Sequence, residues 1–113
     1  MSRDLGSLLD IHRAAAEAMD LAQGVSQEGF LQDRKLKWAI YSQFIIIGEA
    51  AGRVSAKFRA EHSEVPWSQM VGMRHRLVHG YDQVNWVRVW ETLAEDLPAV
   101  ASVIRSLLPT DEG

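Results

Sequence analysis

The chain has 113 residues, 47% of them apolar with four Trp, three Phe and two Tyr, enough for one domain to bury a core without staples. It contains no Cys, which excludes a disulfide framework, a Cys-based metal site and a thiol nucleophile. A formal net charge of −3 argues against a generic nucleic-acid coat, and Asp4 and Asp10 interrupt any apolar leader, so no signal peptide is expected.

Almost every segment repeats at the helical period. Leu5, Leu8, Leu9, His12, Ala15, Ala16, Met19 and Ala22 form one stripe, which predicts a first helix ending near Gly24. The next run begins near Phe30 and carries Trp38, Tyr41, Phe44, Ile45, Gly48, Ala51, Ser55 and Phe58 on one side, which predicts one long second helix. Within it, Ile45, Ile46 and Ile47 cover most of a helix circumference and call for burial on more than one side. A second copy of the chain is one source of that cover. The most apolar window, Trp38 to Gly48, is far short of the roughly 20 residues of a membrane span, so a soluble cytoplasmic protein with no membrane partner is expected.

Pro66 suits the first turn of a third helix with Trp67, Met70, Val71, Arg74, Leu77 and Val78 as its stripe, stopped by Gly80. Asn85 is placed to cap a last helix with Val87, Trp90, Leu93, Leu97, Val100, Ile104 and Leu107 inward and a kink at Pro98. The expected architecture is all-α: a four-helix bundle with a long second helix, one domain over residues 1–109 and a disordered tail at 110–113.

Charge is uneven along the chain. Arg53, Lys57, Arg59, Arg74 and Arg76 face only Glu61 and Glu64 between positions 53 and 80, whereas Arg88 and Arg105 face six acids from Tyr81 onward. A basic middle on an acidic protein points to a local anion site. Arg74 lies on the apolar stripe of the third helix. A guanidinium there needs a carboxylate, a carbonyl or a bound anion, and Glu49 is the internal candidate. His75 and His79 share a face with Gly72, which leaves room beside them. Histidine can carry protons at neutral pH. The same pair has the spacing of a zinc-binding helix, but Arg76 stands where that motif carries its glutamate, which argues against a metal. Arg74 and His79 lie about 140° apart around a continuous helix. Either the helix ends before His79, or a second copy of the segment completes the cleft across a two-fold axis.

Arg74-His75-Arg76-Leu77-Val78-His79-Gly80-Tyr81 resembles the Arg-x4-His-x-Tyr signature of HepT-like toxins of the HEPN superfamily. Ile46-Ile47-Gly48-Glu49-Ala50, Val65-Pro66-Trp67, Val71-Gly72-Met73, and Val89-Trp90-Glu91 through Asp96-Leu97-Pro98 resemble that family at matching positions. The resemblance covers about Phe30 to Val100. It departs where the family often carries Asn, at His75. The resemblance implies a homodimeric, cofactor-free and metal-independent endoribonuclease acting on RNA. Arg74 and His79 would be catalytic, with His75, Arg76 and Glu49 in support at the dimer cleft. It also implies a nucleotidyltransferase antitoxin of the MNT type that silences the toxin by AMPylation of Tyr81. Two other readings use the same residues: a non-catalytic HEPN subunit that partners a nucleotidyltransferase, and a purely structural dimer.

Overall fold

The structure is a computed structural model that describes residues 3–109; the tail expected to be disordered lies outside the described residues. Every regular element among them is helical. Helix α1 spans Arg3–Ala22 and ends at Gly24, which adopts a φ of 76° that favours glycine. Its buried line is Leu8, Ile11, Ala14, Ala15 and Ala18, so the inward face is rotated from the expected one and Ala16 faces solvent.

The long second helix is instead three. Helix α2 covers Gln27–Gln32, α3 Arg34–Arg53 and α4 Ala56–Glu61. Both breaks are held by a capping side chain inside the expected run, Asp33 Oδ1 accepting from Leu36 N–H and Ser55 Oγ from Phe58 N–H, and Ser26 Oγ caps the start of α2 by accepting from Gly29 N–H. Asp4 at the start of α1 fixes the second break, accepting from the backbone N–H of Ser55 at 2.8 Å and from its hydroxyl at 2.7 Å. The chain therefore turns at Ser55 with both donors of that residue matched.

Helix α5, Trp67–His79, follows Pro66 and ends at Gly80, as its flanking residues predict. A short 3-10 turn, Tyr81–Gln83, leads to α6 at Trp86–Glu91, capped by Asn85 through Arg88 N–H. Here the inward residue is Val89 and not Val87, which is 42% exposed. Pro98 acts upstream of itself. The turn Thr92–Asp96 widens to a π-helix, with Leu97 N–H reaching the Thr92 carbonyl, and Pro98 then sits in the first turn of α7, Leu97–Ser106, where no N–H is required of it.

Helix α3 is central, with α1 on one side and α5 on another, and α7 closes against α1. The core runs through Leu8, Ile11, Phe30, Ile40, Phe44, Val54, Val89 and Ile104. Of the isoleucine triplet, Ile47 is buried, Ile45 is half-buried and Ile46 is 41% exposed. No helix among the described residues is long and apolar enough to cross a membrane.

Candidate functional site

The close packing of α3 on α5 depends on Gly48. A Cβ at this position would collide with Arg74 Cβ and lie 2.9 Å from the Met70 carbonyl oxygen. The interaxial distance of two helices follows the side chains between them, and here glycine lets the stem of Arg74 lie against the α3 backbone. Arg74 is consequently half-buried, and its Nε is buried with no hydrogen-bond partner among the described residues. A buried donor left unmatched costs about 1–3 kcal/mol.

Glu49 does not provide the match. It is exposed on α3, and among the described residues no carboxylate pairs with Arg74, His75, Arg76 or His79; the ion pairs are Arg53–Asp10 at 3.1 Å and His62–Glu64 at 3.8 Å. The neighbouring Gly48 occupies the direction toward α5, so Glu49, about 100° further round the helix, is turned away from that contact. The expectation of an Arg74–Glu49 tie is corrected accordingly.

His75 and His79 stand on the outer face of α5 with ring centroids 4.3 Å apart, and both are exposed. Beside Gly72 lies the Arg76 guanidinium, whose Nη1 a Cβ there would meet at 3.4 Å. Arg76 also lines an open groove of about 760 Å³ with Phe44, Met70, Met73, Arg88 and Val100, whereas Arg74, His75, His79 and Tyr81 lie outside it. His75 and His79 thus sit on an open face of the molecule, and Arg74 lies against α3. Tyr81, in the turn after α5, is 65% exposed. Among the described residues no three His, Asp or Glu side chains are grouped to hold a metal.

Helix α5 is continuous through His79, whose successor Gly80 still bonds back to the Arg76 carbonyl at 2.9 Å. The option of a helix ending before His79 is thereby removed. Arg74 faces α3 and His79 faces away from it. Tyr41 closes the end of α5: its hydroxyl donates to the Leu77 carbonyl at 2.8 Å, an oxygen that the turn at Gly80 leaves open. Tyr41 had been placed only on an apolar stripe; the signal for this role was a hydroxyl on a buried face, which must find a partner.

A family profile described as Ribonuclease HepT-like matches residues 11–107. The chain belongs to the HepT-like ribonuclease family. As a member it is a HEPN-type endoribonuclease. Its relatives include a protein described as an RNase in Caldanaerobacter subterraneus subsp. tengcongensis, 34% identical over 83% of this chain and 84% of the relative. A protein described as a HepT ribonuclease in Thermococcus cleftensis is 34% identical over 81% of this chain and 87% of its own length. A third, described as an RNase in Methanocaldococcus jannaschii, is 29% identical over 87% and 91%. No solved structure matches the chain. Membership of the family covers both halves of the helix pair that holds Arg74, since the matched residues include α3 and α5.

Proposed function

We propose that this ribonuclease is the toxin of a HepT/MNT toxin–antitoxin pair and cuts RNA without a metal, in a cleft built by two copies of α5. The observation that carries the reading is the orphaned Nε of Arg74 on the same short segment as two exposed histidines. A half-buried cation held against a glycine, with no carboxylate partner, suits an anion that comes and goes.

RNA supplies its own nucleophile. The 2′-hydroxyl attacks the adjacent phosphorus while His79 takes its proton, the 5′-oxygen leaves with a proton taken from water, and the products are a 2′,3′-cyclic phosphate and a 5′-hydroxyl. Arg74 binds the non-bridging oxygens through its planar fork and stabilises the charge that builds on them. His75 and Arg76 hold the neighbouring phosphates. The cleft is shared because Arg74 and His79 of one continuous helix point about 140° apart. One copy contributes the guanidinium and the other the imidazole. Tyr81 is the point of control: its exposed hydroxyl accepts AMP from a nucleoside triphosphate bound by the antitoxin, with pyrophosphate leaving, and the new phosphate blocks entry of RNA.

The test is cleavage of RNA in excess EDTA. The wild-type chain is expected to cut and to leave 2′,3′-cyclic ends, and His79→Ala to lose about 10²–10⁴ in rate. Strict dependence on a divalent cation, or 3′-hydroxyl ends, rules the chemistry out.

A further inference from the structure

Trp38 is 39% exposed at the opposite end of α3 from Gly48, and its setting is not that of a stray surface residue. It is wedged edge-on against Trp86 at 5.1 Å and Tyr41 at 4.9 Å, with ring planes at 86° and 68°. Phe30 backs Trp86 at 6.2 Å and Trp90 at 5.2 Å. The indole is therefore fixed in orientation while a large part of it remains in water. Arg34 and Lys35 precede it by four and three residues, so both lie on its face of the helix. Both are exposed, and among the described residues neither makes an ion pair; the acid beside them, Asp33, has Oδ1 committed to capping Leu36. Lys37 stands 5.3 Å from the Trp86 ring centre on the other flank.

The patch is continuous with the motif. Tyr41, one turn after Trp38, bonds the last turn of α5 at Leu77, and Trp86 opens α6 directly after the turn that begins at Tyr81. Helices α3 and α5 run antiparallel, since Gly52 meets Val71 while Tyr41 meets Leu77. Trp38 thus lies just beyond the end of α5 that carries His79.

We propose that Trp38 with Arg34 and Lys35 is a subsite for single-stranded RNA, the indole stacking one unpaired base while the two cations hold its flanking phosphates. The proposal rests on the nuclease reading for its substrate and extends it to a preference for unpaired RNA. A flat apolar ring between unmatched cations fits a polyanion whose bases present flat faces, and a base already stacked within a duplex cannot use it.

The experiment is binding of the full chain to a labelled single-stranded oligouridine carrying 2′-O-methyl groups, which cannot be cut, followed by fluorescence anisotropy across a salt series. Trp38→Ala should weaken binding about tenfold while Trp38→Phe, which keeps a stacking ring, stays close to wild type. Binding of duplex RNA should be unaltered by Trp38→Ala. Replacing Arg34 and Lys35 by Gln should flatten the salt dependence by about 0.7 in logarithmic slope per charge removed. Circular dichroism of each variant establishes that it is folded. Unchanged oligouridine affinity in Trp38→Ala, a wild-type chain that does not bind the oligomer, or a loss of self-association in place of RNA affinity would each overturn the subsite. A wild type that binds through Trp38 yet never cuts ordinary oligouridine would leave the subsite standing and remove the nuclease chemistry. Cleavage with the same KM in wild type and Trp38→Ala would do the reverse.

Discussion

A methyl group at position 48 would strike Arg74 Cβ and approach the Met70 carbonyl oxygen to 2.9 Å, so Gly48→Ala must push α5 away from α3 or turn Arg74 out of its slot. Overpacking of this kind costs about 1–3 kcal/mol, which urea unfolding would read as a lower midpoint. RNA cleavage should fall further than stability accounts for, because the displaced atom is the stem of the guanidinium proposed to bind phosphate. A Gly48→Ala chain with wild-type midpoint and activity contradicts the packing argument. At Tyr81 the expected outcome is different. Tyr81→Phe should cut RNA at the wild-type rate and resist the proposed antitoxin, and neutralisation by modification of this variant would remove Tyr81 from the proposed control step. Arg74 was legible in the sequence because a guanidinium on an apolar stripe has few ways to exist. Its partner was not: whether Glu49 faces α5 or solvent depends on the rotation of α3, and one residue of rotation separates the two.

At the scale of elements, the capping residues decided what periodicity could not. The expected run from Phe30 to Phe58 passes through Asp33 and Ser55, so it reads as one helix, yet both residues cap new helices there. Ends of α5 and α6 were readable because Pro66, Gly80 and Asn85 stand outside the repeat. The turn at Ser55 also carries a pH dependence. Asp4 is held below the ordinary aspartate range, first by the backbone N–H of Ser55 and next by its hydroxyl, with loss of solvent opposing and Arg3 adding a little. The folded chain therefore binds this proton less readily than the unfolded one. Its contribution is complete above the unfolded aspartate pKa and disappears as pH falls through the folded value. Wild type should melt above Asp4→Asn at neutral pH, and the difference should shrink toward zero below about pH 4. A constant difference across that range would mean that charge at Asp4 plays no part. Tyr41→Phe should loosen the end of α5 by about 1 kcal/mol through the freed Leu77 carbonyl. Faster amide exchange confined to the last turn of α5 and the turn after it would report the change; an unaltered pattern would contradict it.

At the scale of the whole molecule, the all-α bundle was legible in the sequence. Helical period, turn residues and one Pro suffice for an all-α core, because burial is set by the pattern along each helix. How two copies would meet in the proposed dimer depends on shape and on polar groups left unmatched, and these exist only once the helices are packed. The groove beside Arg76, the exposed Ile46 and the open face of α5 could not be told apart from sequence. What the fold adds is the continuity of α5. With Arg74 packed on α3 and His79 exposed, about 140° apart on one helix, the proposed cleft takes one group from each of two copies.

Complementation between two inactive variants measures this directly. Arg74→Ala and His79→Ala are each expected to leave RNA uncut, and a mixture of the two, refolded together, should form mixed dimers that retain one cleft with an intact guanidinium and an intact imidazole. The account predicts that such a mixture recovers about a quarter of wild-type cleavage, as random pairing of two copies requires. A mixture that stays as inactive as its components, under conditions where mixed dimers are detected by mass, would contradict a site shared between copies.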